Sequence, residues 1–265
     1  MLAEQFPITT DVLHAQRRSI PVWGAALAAV SAMYISFYPS MGGDQMDDMI
    51  ANLPDNLVTA LGYDQIGTAG GWLTSTVYGL LGPALLLVFA IGTGGRLLAG
   101  QEEAGTLELE LTSPVPRRRI YVERLVALWC GILALVAMIT LVTVVLVAAI
   151  DMEVGLTEIL AGSTGLSLLV VGLGTFTFAV GAATGRRAHA LGAGAAVAVA
   201  AFILDALGPV VELGWMTAIS PFSWYLGNNP LVEGFDLFGL ARLALITLVC
   251  APLGALALDR RDLMV

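Results

Sequence analysis

Apolar and polar stretches alternate along the chain in a pattern that repeats six times. Near-continuous apolar runs occupy about 19–38, 72–95, 123–150, 156–184, 190–210 and 237–258. Each is long enough for an α-helix to cross a hydrocarbon core of roughly 30 Å, which takes about 20 residues. The third and fourth runs exceed that length, which predicts tilt or extra helical turns outside the bilayer. No internal repeat or low-complexity linker divides the sequence. The pattern therefore predicts an all-α integral membrane fold of six transmembrane helices in one domain, 1–265. Its polar parts are a leader at 1–18, a charged loop at 96–122, and outer segments at 39–71 and 211–236.

The polar segments carry patterns of their own. In FPITTDVLHAQRR, residues 6–18, Val12, Leu13 and Ala15 stand among polar residues. That spacing suits a short amphipathic helix at the membrane surface, with a frayed polar leader as the alternative. In 39–71, Met46, Met49, Ile50 and Leu53 recur at helical spacing until Pro54 interrupts them. In 211–236, Trp215, Phe222, Trp224 and Tyr225 stand between Gly and Pro positions, as suits a membrane–water boundary. Small residues crowd GAATG at 181–185 and ALGAGAAVAVAA after it, which predicts close approach of helix backbones.

Composition agrees with a membrane protein: 57% of residues are hydrophobic and 12% charged, against about 25% charged in a soluble domain. The net charge of −9 would suggest a basic partner, but the distribution of charge says more. Arginines cluster at Arg17 and Arg18, in the 96–124 region, at Arg186 and Arg187, and at Arg260 and Arg261. Carboxylates fill the alternate segments: Asp44, Asp47, Asp48, Asp55 and Asp64, then Asp151, Glu153 and Glu158, then Glu212, Glu233 and Asp236. The positive-inside rule places both termini and the arginine-rich loops in the cytoplasm, and only Arg242 departs from the pattern. The apolar run after Arg18 is about 19 residues, longer than the roughly 7–15 of a cleaved signal, so an uncleaved anchor is expected.

The chain has no lysine. A Walker A phosphate loop needs one to reach the terminal phosphates, so this chain cannot hold ATP in that way. HExxH, CxxC and Gly-x-Ser-x-Gly patterns are also missing, and His14 and His189 have no partners in sequence. Cys130 and Cys250 fall inside apolar runs and read as small buried hydrophobes. No catalytic residue, metal or cofactor is expected on this chain. Two charges fall within apolar runs, where charge is costly. Asp205 lies shortly before the outer end of the fifth run and Arg242 shortly after the outer start of the sixth. Their matching depths predict an ion pair between adjacent helices, with two residues snorkelling toward water as the alternative.

The densest charge lies in Gly95 to Leu125, GRLLAGQEEAGTLELELTSPVPRRRIYVERL. Leu107, Leu109 and Leu111 alternate with Glu108 and Glu110 like a strand, but no sheet is at hand and Glu and Leu are strong helix formers. A short helix from about Glu102 to Leu111 is expected, broken by Pro114 and Pro116, with a new helix from near Arg117. Arg117, Arg118 and Arg119 sit where a basic run fixes topology or meets lipid headgroups. The Glu-Glu-x-Gly-Thr stretch gains little beside an anionic leaflet, so a protein partner suits it better.

QEEAGTLELELTSPVPRRRIYVERL resembles the signature loop of ABC-2-type ABC transporter permeases. ISPFSWYLGNNPLVEGFD at 219–236 resembles the family's outer Ser-Pro-Phe segment, and LDRRDLMV at 258–265 its Arg-Arg-Asp close. The alternating LELEL departs from the family's more continuous leucine run. The resemblance implies a prokaryotic plasma-membrane permease with an ABC-2 (type V exporter-like) fold. It would be paired with a second permease copy and two copies of an ABC ATPase subunit that hold ATP and magnesium. Glu102, Glu103, Gly105, Thr106, Leu107 and Glu108 would lie on or beside the coupling helix, with Arg186 and Arg187 marking a second, shorter contact. Export of a hydrophobic or amphipathic substrate is the implied activity, with no nucleic acid involved. Against it stand an ion-coupled secondary transporter and a membrane anchoring subunit that transports nothing.

Overall fold

The computed structural model describes residues 7–42, 50–54, 57–58, 65–105 and 116–261. Among these residues every regular element is helical, and six helices are long and apolar enough to cross a membrane. In chain order the elements are α1 (Pro7–Gln16), α2 (Ser19–Met41), α3 (Ala69–Glu103), α4 (Arg117–Ala149), α5 (Leu156–Thr184) and α6 (Arg187–Val210). Three short helices follow, α7 (Gly214–Ile219), α8 (Pro221–Leu226) and α9 (Pro230–Glu233), and then α10 (Leu237–Arg260). The spans are α2, α3, α4, α5, α6 and α10.

Helix α5 is the hub. It packs against α3, α4, α6 and α10, and Leu166, Leu169, Val170, Thr175, Thr177, Phe178 and Ala182 along it are fully buried. Small residues make that enclosure possible by letting backbones approach. A Cβ on Gly254 of α10 would lie 2.4 Å from the Tyr121 hydroxyl and 2.7 Å from Ala179 Cβ. That hydroxyl donates to Ala251 O at 2.8 Å, bolting α4 to α10. On the other side of α5, a Cβ on Gly194 of α6 would strike Thr177 Oγ1 at 2.2 Å.

Helix α3 is longer than its apolar run at 72–95. It contains two π-helical stretches, Thr74–Leu81 and Arg96–Gly100, and its last turn carries Gln101–Glu103. The helix at Glu102 is thus the tail of the second span, where a separate helix from 102 to 111 was expected. It ends in a turn at Ala104 and Gly105, the glycine at φ +69°. Residues 106–115 lie outside the described residues, as does the expected helical spacing at Met46 and Met49.

The segment after α6 turns back into the bundle. Ser220 begins α8: its Oγ donates to Ala201 O at 2.7 Å and accepts from Phe222 N at 3.2 Å. Helix α8 packs against α5, α6 and α10, and Tyr225 from α8 donates its hydroxyl to Tyr78 O at 3.1 Å. The aromatic residues of this stretch thus divide, with Phe222 and Tyr225 buried and Trp215 57% exposed. Cys130, expected inside the core, is exposed on α4.

Candidate coupling site at the arginine-rich end

One end of the bundle gathers Arg96, Arg117, Arg118, Arg119, Arg186, Arg187, Arg260 and Arg261, at the ends or starts of α3, α4, α5, α6 and α10. At its centre is the Glu102–Glu103 pair. Glu102 forms an ion pair with Arg261 just past α10, both carboxylate oxygens accepting from Nη2. Both side chains are about four-fifths buried, at 19% and 18% exposure. Arg261 Nη1 also donates to Ala182 O in the last turn of α5 at 3.2 Å. Its carbonyl accepts from Arg117 Nη1 at 3.3 Å. Glu103 Oε1 accepts from the backbone N–H of Arg187 at 2.8 Å. That N–H is the first of α6 and has no partner within its own helix, so Glu103 caps α6 from α3.

Gly185 makes this cluster fit. It closes α5 in the left-handed region at φ +64°, its N–H bonded to Gly181 O. A Cβ there would lie 2.5 Å from Arg261 Nη1 and 2.7 Å from Glu102 Oε1. Glycine satisfies both the backbone conformation and the close approach.

A second buried cluster lies beside the first. Arg124 is fully buried on α4; its Nη1 donates to Leu97 O at 2.6 Å and its Nη2 to Gln101 Oε1. Leu97 lies in the second π-helical stretch, so the arginine takes up a carbonyl beside an interrupted helix ladder. One residue earlier, the buried Glu123 holds the leader. Its Oε2 accepts from Ile8 N at 2.9 Å and Thr9 N at 3.2 Å, and its Oε1 from Arg119 Nε at 2.7 Å. The amphipathic leader is therefore helical and packed on α4, with Thr9, Val12 and Gln16 buried.

The sequence-derived candidates separate accordingly. Glu102, Glu103 and Arg187 meet in one place, with Arg186 exposed beside them as the N-cap position of α6. Gly105 is exposed at the end of the same turn. Thr106, Leu107 and Glu108 lie outside the described residues. Within the basic run, Arg117 and Arg119 have partners inside the chain and Arg118 is exposed. Asp205 and Arg242 are not brought together: Asp205 Oδ1 accepts from Ser223 Oγ at 2.5 Å, and Arg242 is exposed on α10. Helix α8 packs on both α6 and α10 and supplies that serine, a screen that matching depth in sequence does not disclose. Arg261, Glu123 and Arg124 were not singled out beforehand. Their signal is charge density at a span end, which topology alone also produces.

A bundle of six helices long and apolar enough to cross a membrane defines the class as multi-pass membrane proteins. The chain belongs to the ABC-2 family of transporter proteins, whose family model matches residues 13–263. No curated protein sequence matched it.

Proposed function

We propose that this chain is the membrane half of an ATP-driven exporter, and that its arginine-rich end receives the stroke of a separate ABC ATPase. One observation supports the reading above others. Glu103 and Arg187, from the two segments that the sequence nominates as ATPase contacts, touch at 2.8 Å although 84 residues apart. A partner docked there presses on the tail of α3 and the start of α6 together. On this reading the chain from Gly105 through Thr106, Leu107 and Glu108 forms the outer part of the contact. Glu102 and Glu103 form its root, and Arg186 and Arg187 its second part. Arg118 is left to meet lipid headgroups. The arginine-rich end then faces the cytoplasm of a prokaryotic plasma membrane, and ATP and magnesium belong to two copies of the partner.

The filled core supports a second feature of the proposal. The central helix α5 is buried over most of its length from Ile159 to Ala182, and close-packed interiors of this kind leave little room for a solute. A transport path therefore runs along the outside of the bundle, at an interface with a second permease copy. Helix α6 presents the small, exposed residues Ala188, Gly192, Ala196 and Ala200 at every fourth position, which suits helix–helix contact in a membrane. Its apolar surroundings, with Val199 57% and Ile203 45% exposed, suit a hydrophobic or amphipathic substrate.

The test is expression of the permease with candidate ATPase subunits and purification of the assembly in mild detergent. Co-purification of an ATPase of typical domain size is expected. Replacing Glu102 and Glu103 with Arg is expected to leave the protein in the membrane and to abolish ATP-driven transport in vesicles. Transport by the purified permease alone, driven by an ion gradient, overturns the proposal.

A further inference from the structure

We infer that Arg261 is a positioning residue that ties the last membrane helix to the root of the 96–122 loop, so that both move as one body. The inference rests on the reading of that loop as the ATPase contact and adds an output to it. Arg261 follows α10 directly and makes contacts in three directions, two through its guanidinium and one through its backbone carbonyl. Nη2 holds both oxygens of Glu102, Nη1 holds Ala182 O at 3.2 Å, and its own carbonyl holds Arg117 at 3.3 Å. Few side chains can do this. The planar fork of arginine matches a carboxylate and a carbonyl at once, whereas a lysine ammonium is a single point charge. The Glu102–Arg261 contact joins positions 159 residues apart, and beside it Arg117 Nη1 on Arg261 O ties the end of α10 to the far side of the same loop.

The geometry also explains why the cluster is rigid. Gly185 backs directly onto the guanidinium, where a Cβ would lie 2.5 Å from Arg261 Nη1, so the side chain sits in close packing against the α5–α6 turn. Glu103 meanwhile fixes α6 to the same stretch of α3. A displacement of Glu102 and Glu103 is therefore delivered to α10 through Arg261 and to α6 through the Arg187 N–H. Movement of α3 alone would leave those two helices behind.

The test uses spin labels on the exposed positions Ala104 and Asp259, introduced as Ala104→Cys and Asp259→Cys with Cys130→Ser and Cys250→Ser. Distances are read by pulsed electron resonance in the purified permease and in its complex with the ATPase, nucleotide-free and trapped with ATP and vanadate. A single narrow distance, unchanged by nucleotide, is expected with Arg261 present. Arg261→Ala is expected to broaden it about twofold and make it shift with nucleotide. The exchanged pair Glu102→Arg with Arg261→Glu is expected to restore the narrow distance, which a general loss of folding would not permit. Arg261→Lys is expected to restore it in part. A distribution in Arg261→Ala that stays as narrow as the parent overturns the inference, as does an exchanged pair that restores nothing while remaining folded. The width is read on the permease alone, so failure of any ATPase to bind would sink the coupling reading without deciding the tether.

Discussion

Two glutamates in this protein serve helices to which they do not belong. The first N–H groups of an α-helix have no partner inside it, and the helix dipole favours negative charge beside them. Glu123 on α4 fills that role for α1, and Glu103 on α3 fills it for α6. Glu123 is the more enclosed, so its removal strands two backbone donors. Glu123→Ala is expected to weaken docking of the leader by about 2–3 kcal/mol. Hydrogen exchange measured by mass spectrometry checks this: the peptide over α1 should exchange at least about tenfold faster while the spans keep their protection. Asp205 makes a second residue-level case. Its hydrogen bond goes to Ser223, and Arg242 is elsewhere on an exposed face. The destabilisations from Asp205→Asn and Arg242→Gln are therefore expected to add within about 0.5 kcal/mol in the double variant, measured by thermal unfolding in detergent. A larger interaction energy would restore the ion pair to the account.

Helices in this bundle approach closely at glycines as well as packing large apolar side chains between them. Gly254 is the tightest such place between α4, α5 and α10. Gly254→Val would push Tyr121 from its bond to Ala251 O and separate α10 from α5, at about 2 kcal/mol or more. Scanning fluorimetry should show a lowered midpoint for Gly254→Val and little change for Gly92→Val, since nothing lies within 4 Å of a Cβ at Gly92. The spans themselves were legible because hydrophobic length follows from bilayer thickness and needs no partner. The phase within α3 was not. A π-helical stretch shifts the register of everything after it, and the one at Arg96–Gly100 decides which way Glu102 and Glu103 point. The inward course of α8 was hidden for a different reason. Its aromatic residues suit a membrane surface equally well, and Ser220 on Ala201 O, Ser223 on Asp205 and Tyr225 on Tyr78 O draw it between the spans. Local pattern also cannot name a partner 159 residues away, so the Arg-Arg-Asp close at Arg261 reads as a family mark and a topology signal with no link to Glu102.

At the scale of the whole molecule, the burial of α5 is the strongest constraint on how a solute could cross. A path through the chain would need vacant space along the buried face of that helix, where Leu166, Leu169, Leu173 and Phe178 pack. The alternative is a path between copies, and the exposed faces of the outer helices differ in their fitness for it. Helix α10 exposes bulky residues, with Leu245 at 56%, Leu248 at 69% and Leu253 at 58%, which pack well against lipid chains. Helix α6 exposes Gly192, Ala196 and Ala200, which would leave a furrow in lipid but allow another helix close. Disulfide cross-linking in native membranes separates the two. With Cys130→Ser and Cys250→Ser as background, Ala196→Cys is expected to form a covalent dimer on mild oxidation. Leu248→Cys is expected to remain monomeric. A disulfide requires Cα atoms within about 7 Å, so random collision cannot favour one face over the other to the same degree. Equal yields at the two positions would remove α6 from the interface and, with it, the proposed route for the substrate.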